Sequence, residues 1–114
     1  MTSQSAAVLM KALDGLSARA EAIAQNLANA QSPAYAPVRV KFEQALADAA
    51  RRGGAAVRQV KPQFERASGL EAQAGVRIDL ELANAATTAG RYAALVEVLN
   101  RQFQIRAAAL QGDH

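Results

Sequence analysis

The stretch QNLANAQSPAYAPVRVKFEQAL, residues 25–46, decides the fold because it interrupts a helix at a defined place. Pro33 and Pro37 cannot continue a helix, and each proline drives the residue before it out of the helical region. Asn29 is suited to end the preceding helix, since asparagine tolerates the left-handed conformation better than most residues do. The alternation of apolar and polar residues over 38–43 then predicts a short extended segment.

Upstream of this break, apolar residues recur at alternating spacings of four and three residues. This is the heptad pattern of a helix that packs on another helix, and it predicts a helix over residues 5–30. Gly15 lies inside the pattern and costs about 1 kcal/mol relative to alanine in a helix interior. The heptad positions are Leu9, Leu13, Leu16, Ala20, Ile23 and Leu27.

The last third of the chain carries a longer heptad pattern, which predicts a helix over residues 76–111. Asp79 and Glu81 fall near its start, where carboxylates interact favourably with the helix dipole. The heptad positions are Ile78, Leu82, Ala85, Ala89, Tyr92, Val96, Leu99, Phe103, Arg106 and Leu110.

Residues 31–75 separate the two heptad segments and are predicted to be irregular and partly extended. Ala45, Leu46 and Ala49 favour a short helical piece there. Residues 51–75 contain four glycines and one proline without a sustained period, which favours a flexible insert with room for one short hairpin. The predicted fold is all-α and single-domain, with long terminal helices packing as a coiled-coil-like pair.

The composition agrees with a chain that packs helix on helix. Of the 114 residues, 29 are alanines and only 4% are aromatic. Alanine favours helix strongly but buries little apolar surface, so such a chain makes long, thin helices more readily than a thick globule. The formal net charge is +3.

Catalytic and metal-binding chemistry is not expected. The chain has no cysteine and one histidine, His114, which argues against thiolate chemistry and against soft-metal sites. The carboxylates are scattered singly, and no phosphate-loop lysine follows Gly53 and Gly54. We therefore expect no enzyme activity, no metal and no cofactor.

Neither a membrane span nor a secretory signal is predicted. The apolar run at residues 6–10 is far too short to cross a bilayer, and the first residues lack the positive charge of a signal peptide. A basic stretch of Arg51, Arg52, Arg58 and Lys61 has the charge to hold phosphates. Only Phe64 lies nearby to stack on a base, so we favour a solvated loop over a nucleic-acid site.

Residues 26–46 resemble the signature of bacterial flagellar axial proteins, the rod and hook family. Its members carry a motif similar to N-[IL]-A-N-A-x-[ST]-P-G-Y after an N-terminal heptad helix. The residues that match are Asn26, Leu27, Ala28, Asn29, Ala30, Ser32, Pro33 and Tyr35. The next segment, V-x-F-E-x-A-L at 40–46, looks like the proximal rod branch of the family.

The C-terminal third also resembles the closing helix of that branch. The matching residues are Glu81, Arg91, Tyr92, Leu99, Asn100, Arg101, Phe103, Arg106 and Ala108. The family's usual glycine before the tyrosine is Ala34 in this chain. If that glycine is needed for a positive φ, Ala34 must be strained.

The resemblance implies a non-enzymatic subunit of the flagellar basal-body rod, located in the periplasm and exported without a cleaved signal. Its implied partners are other rod proteins, membrane-ring and export-apparatus components and further copies of itself, with no nucleic acid and no cofactor. The implied packing residues are Leu9, Leu13, Leu16, Ile23, Leu27, Leu82, Tyr92, Val96, Leu99, Phe103 and Leu110. The implied rod-motif residues are Asn26, Leu27, Ala28, Asn29, Pro33, Tyr35 and Phe42.

Within that interpretation, we expect residues 33–42 to cross to a neighbouring subunit, which would bury Tyr35 and Phe42. Two alternatives stay open. One is a cytoplasmic helical hairpin that acts as an adaptor or secretion chaperone. The other is a nucleic-acid-associated protein that uses residues 51–61.

Overall fold

The computed structural model describes residues 2–112 and is mostly helical, with 74% of those residues in helices. The longest helices are α1 (Ser3–Ala28) and α5 (Ile78–Gly112). The prediction of long helices at the two ends of the chain is therefore confirmed. His114 lies outside the described residues. The chain is not purely helical, because two strands form a small sheet in its middle.

The ends of α1 are set by side-chain hydrogen bonds. Thr2 caps the start, where its hydroxyl accepts a hydrogen bond of 3.0 Å from the Ser5 amide. Asn29 ends the helix as predicted, but with a φ of −107° rather than in the left-handed conformation. Its side-chain amide instead donates to the Gln25 carbonyl at 2.9 Å, which satisfies one of the last helical carbonyls.

The middle of the chain is ordered into short elements, so the prediction of a flexible insert over residues 51–75 is wrong. The elements that lie wholly within that range have only four to six residues, which is too short for a hydrophobic period to be visible. The extended segment and the helical piece predicted over residues 38–49 are confirmed. The elements are β1 (Val38–Lys41), α2 (Glu43–Arg52), α3 (Gly54–Arg58), β2 (Gln63–Arg66) and α4 (Gly69–Ala74).

The two strands pair across the helices that separate them. β1 and β2 are antiparallel, with Val38 opposite Arg66 and Lys41 opposite Gln63. The connection is α2 and α3 rather than a turn, so this is not the local hairpin that the sequence left room for. The pairing closes the middle segment on itself and fixes the position of β1 against α1.

The core lies where α1, β1, α2 and α3 meet. Its largest side chain is that of Phe42, which is 5% exposed. Full burial of each Leu, Val or Phe contributes about 1.5–3 kcal/mol, so this cluster is the main source of stability within the chain. The core residues are Leu16, Ala22, Val38, Val40, Phe42, Leu46, Ala49 and Val57.

α5 runs alongside α1 in the opposite direction. Asn26, near the end of α1, contacts Glu81, near the start of α5, while Leu16 and Tyr92 border the same cleft farther along. The side of α5 that meets α1 carries the buried Glu81, Thr88 and Leu99 and the half-buried Leu95. Only Leu99 of these four belongs to the heptad pattern predicted from the sequence.

Candidate functional site

The buried side chain of Asn26 connects the end of α1 with the loop that follows it and with strand β1. The Asn26 amide nitrogen donates to the Val38 carbonyl at 2.9 Å and to the Glu81 carboxylate at 3.1 Å. Its oxygen accepts from the Val38 amide at 2.8 Å and from the Tyr35 hydroxyl at 2.9 Å. All the hydrogen-bonding capacity of this side chain is used. Asn26 therefore bonds β1 in the way that a neighbouring strand would.

Glu81 connects this junction to the last helix. It is 0% exposed, and its second oxygen accepts a hydrogen bond of 2.7 Å from Arg39. Arg39 also pairs with Glu71 of α4 at 3.1 Å. A carboxylate can be buried only when it is paired and hydrogen-bonded, which Asn26 and Arg39 accomplish together. The polar junction of Asn26, Tyr35, Arg39 and Glu81 thus ties α1, β1, α4 and α5 to one point.

The turn that brings Tyr35 to the junction is strained. Ala34 has a φ of +61°, in the left-handed region, and no other described non-glycine residue has a positive φ. An L-residue there costs about 1–2 kcal/mol. This is the position at which the rod motif has glycine, so the conflict foreseen from the sequence is present. The ring of Tyr35 lies under the Arg66 guanidinium, 5.3 Å from its centroid.

Phe42 is buried by its own chain, which corrects the expectation that a neighbouring subunit would cover it. Its ring lies against the backbone of Gly15 in α1, and the Arg19 guanidinium lies 4.9 Å from the ring centroid. Tyr35 is half-buried, with its hydroxyl held by Asn26. The physical reason is that β1 turns back onto α1, so the alternating segment packs internally.

Arg19 binds Glu43 at the start of α2 through two hydrogen bonds of 2.6 and 2.7 Å, and it also donates to the Val40 carbonyl at 2.8 Å. The hydrogen bonds from Arg19 hold the pKa of the Glu43 carboxyl below its ordinary value of about 4.5. On the outer side of the sheet, the hydrogen bond to Glu65 raises the pKa of the Lys41 ammonium.

The predicted packing residues fall into three groups by exposure. The buried ones are Leu16, Ile23 and Leu99. The half-buried ones are Leu9, Leu13, Leu27 and Val96. The exposed ones are Leu82, Tyr92, Phe103 and Leu110. The α1 stripe is therefore turned mostly inward, whereas most of the α5 stripe is available to other molecules.

The exposed apolar residues of α5 form two stripes, which we call the first and second flanks. With 3.6 residues per turn, the first flank lies on average about 60° around the helix axis from the side that meets α1, and the second lies about 90° from it in the opposite direction. Their large side chains are 41–66% exposed. The first flank comprises Ile78, Leu82, Tyr92, Phe103 and Leu110, and the second comprises Leu80, Val98 and Ile105. α5 thus presents apolar surface on both sides of its contact with α1.

The structure also shows where the other residues considered as possible sites lie. The basic residues singled out between 51 and 61 lie in and around α2 and α3, and Arg51 pairs with Asp48. Within residues 2–112, no three carboxylates or histidines gather as metal ligands would. Across the same residues, no helix has the length and apolarity needed to cross a membrane.

Sequence reasoning missed the role of Glu81. It placed this residue at a helix start and in the family match, but not in contact with Asn26, from which it is separated by 55 residues. No spacing rule connects two polar residues that far apart. No protein-family model matches the chain, and no curated protein matches it.

Proposed function

We propose that this protein is a structural subunit of the bacterial flagellar basal-body rod, from its proximal branch. The subunit assembles by helix–helix packing into the tubular drive shaft and catalyses no reaction. In this proposal α1 and α5 form the coiled-coil-like pair of one subunit. Its partners are further copies, other rod proteins and the membrane-ring and export-apparatus components, and it acts in the periplasm after export without a cleaved signal.

The observation that carries the proposal is the pair of apolar flanks on α5. A helix that only completes a monomer needs one apolar side, yet α5 has two further apolar stripes beside the one that meets α1. Rows of exposed apolar side chains along one helix point to a site of association. Stripes on both sides suit a helix that has neighbours on both sides, as it would in the wall of a tube.

The polar junction supports the same proposal. Asn26 and Tyr35 belong to the stretch that resembles the rod motif, and the hydrogen bond between them makes that stretch one structural unit. Glu81 belongs to the C-terminal resemblance and bonds Asn26. The two resembling segments therefore meet through a hydrogen bond between buried polar side chains, as expected if both segments hold the structure of the subunit together.

A helical-hairpin adaptor or secretion chaperone remains the second candidate, and one observation favours it. The chain has a core of its own around Phe42 and an internal contact between α1 and α5. Such a chain can fold without neighbours. An adaptor would use one flank of α5 for one client rather than both flanks for copies and relatives.

Mass spectrometry of purified, detergent-extracted basal bodies from the source cell tests the proposal. We expect the chain in an amount comparable to that of the other rod proteins, and we expect its deletion to stop filament growth. Cytosol from the same cells is the control fraction. Absence from basal bodies, together with a soluble cytoplasmic pool bound to a client, would replace the rod proposal with the adaptor.

A further inference from the structure

A groove of about 400 Å³ lies between α5 and the elements that carry the polar junction. One wall is a polar stripe of α5 formed by Asn84, Thr87, Thr88 and Arg91, which share one side of the helix because of their spacing. α1 and β1 form the other wall. The groove is separate from the first flank and lies next to the second.

The polar wall has no partners within the described part of the chain. None of its four side chains makes a hydrogen bond or ion pair with any of residues 2–112. Thr88 is only 4% exposed, and no fully enclosed side-chain oxygen among those residues lacks a partner. The Thr88 hydroxyl therefore keeps access to the space beside it. This hydroxyl is therefore a hydrogen-bonding group that faces the groove and can bind a ligand placed there.

The charge of the groove defines the ligand further. Arg19, Arg39, Lys41 and Arg91 contribute to its lining, and no acidic residue does. The first three are paired with carboxylates that lie outside the lining. Of these four cations, Arg91 is the one that forms no ion pair with a carboxylate among residues 2–112. A negatively charged group beside Arg91 would find both a charge and neutral hydrogen-bonding groups from the polar wall.

Most of the accessible surface of the groove is nevertheless apolar, although the wall formed by α1 and β1 also carries Arg19, Arg39 and Lys41. Ile23 of α1 and Val38 and Val40 of β1 contribute to the lining. An inorganic anion would leave that surface uncovered, whereas a peptide with both acidic and apolar side chains would cover it. Extended peptides present alternate side chains to opposite sides, so acidic and apolar side chains of one peptide can contact different walls of the groove.

We propose that this groove binds an acidic, apolar peptide segment of a partner protein, with a carboxylate against Arg91 and the polar wall of α5. The groove would serve a rod subunit or an adaptor equally, so the inference goes beyond the proposed function and does not depend on it. Arg91, Thr87 and Thr88 are the residues that would recognise the segment.

The probe is a short end-blocked peptide of alternating leucine and glutamate, titrated into the labelled full chain and followed by NMR. We expect saturable shifts at Thr87, Thr88 and Arg91, and weaker binding by about tenfold or more for Arg91→Gln, since a charged hydrogen bond is lost. Arg101→Gln is the matched control, because Arg101 lies on the same helix outside the groove. It should bind the peptide like the wild type.

Thr88→Val separates binding from folding. It keeps the shape but removes the hydroxyl, so we expect an unchanged or higher melting temperature together with weaker peptide binding. A lower melting temperature with unchanged binding would contradict the role of Thr88. Equal binding of the leucine–glutamine peptide, or no saturable binding, would overturn the proposal. If free glutarate produced the same shifts at similar affinity, the groove would be a small-anion site and not a peptide-docking site.

Discussion

The ring of Phe42 occupies the space that a side chain at position 15 would need. A Cβ atom added to Gly15 would lie 2.5 Å from the ring carbons Cγ and Cδ1. Real Cβ contacts are essentially never that short. The glycine in the middle of α1 is thus explained by packing, because β1 brings the aromatic residue that follows it directly onto the helix backbone.

We expect Gly15→Ala to destabilise the protein although it improves helix propensity. Alanine favours the helix by about 1 kcal/mol over glycine. Overpacking of a core costs about 1–3 kcal/mol, and the buried ring has little freedom to move. The predicted net loss is on the order of 1 kcal/mol in the free energy of unfolding, measured by urea denaturation.

Gly90 provides the matched control in α5. Nothing lies within 4 Å of a Cβ added there. Gly90→Ala should therefore show the propensity effect alone and stabilise by about 0.5–1 kcal/mol. Equal stabilisation by both substitutions would mean that the Phe42 ring yields without cost.

Ala34→Gly should stabilise the protein. The φ of +61° strains an alanine, and glycine relieves about 1–2 kcal/mol of that strain. The gain is reduced by about 0.4–1 kcal/mol, because glycine makes the unfolded chain more flexible. We predict a net stabilisation of about 0.5–1 kcal/mol in thermal or urea unfolding.

The control for this prediction is Ala36→Gly. Ala36 lies two residues farther on and has no positive φ. Ala36 is half-buried, so the loss of its methyl group adds to the unfolded-state effect and the substitution should destabilise. A loss of stability on Ala34→Gly of the same size as on Ala36→Gly would show that the turn carries no strain.

Asn26→Asp should lower the free energy of unfolding strongly, although it changes a single atom of the side chain. It removes the donor to Glu81 and places a second carboxylate beside a fully buried one. Breaking a buried, paired charge costs about 3–5 kcal/mol, and we expect a loss in that range. Equilibrium urea unfolding measures it.

A double-mutant cycle with Glu81→Gln tests whether the two residues act on each other. The glutamine amide can donate to the new carboxylate, so the double variant should be more stable than the sum of the single losses predicts. Contacting residues show coupling of about 0.5–3 kcal/mol. Strict additivity would contradict a direct Asn26–Glu81 interaction.

The Arg19–Glu43 pair should make stability depend on acid pH. The pKa of Glu43 is lowered in the folded protein, so its contribution is present above its ordinary value of about 4.5 and is lost as pH falls through the lowered value. Glu43 is half exposed, so the contribution is below about 1 kcal/mol. Unfolding at about pH 6 and about pH 3 should show a larger loss for the wild type than for Glu43→Gln.

Substitutions on the first flank of α5 should spare the monomer. Leu82 and Phe103 are both more than half exposed, so Leu82→Gln and Phe103→Gln should change the free energy of unfolding by less than about 0.5 kcal/mol. In cells they should reduce motility if the flank packs against other subunits. Leu99→Ala, at a buried site, is the contrasting variant and should cost about 2–5 kcal/mol. Full motility of both flank variants would show that the first flank does not pack against other subunits.

The sequence identified several residues of the polar junction but not the contacts between them. Asn26, Tyr35 and Glu81 were singled out because two separate segments resemble one family, and the site brings these residues together. Their hydrogen bonds were not predictable, because they join residues 9–55 positions apart whose geometry depends on the path of β1. Arg39, which completes the pairing of Glu81, carried no sequence signal beyond its place in an alternating strand.

The sequence by itself determined the long helices at the two ends and the break between α1 and β1. Heptad spacing, proline and alanine content act through local backbone preferences and can be evaluated along the chain. Only the tertiary structure decided that β1 pairs with the distant β2, that Phe42 packs on Gly15, and that α5 turns Glu81, Thr88 and Leu99 toward α1. α5 is apolar on several sides, so its hydrophobic pattern alone did not decide which side faces α1.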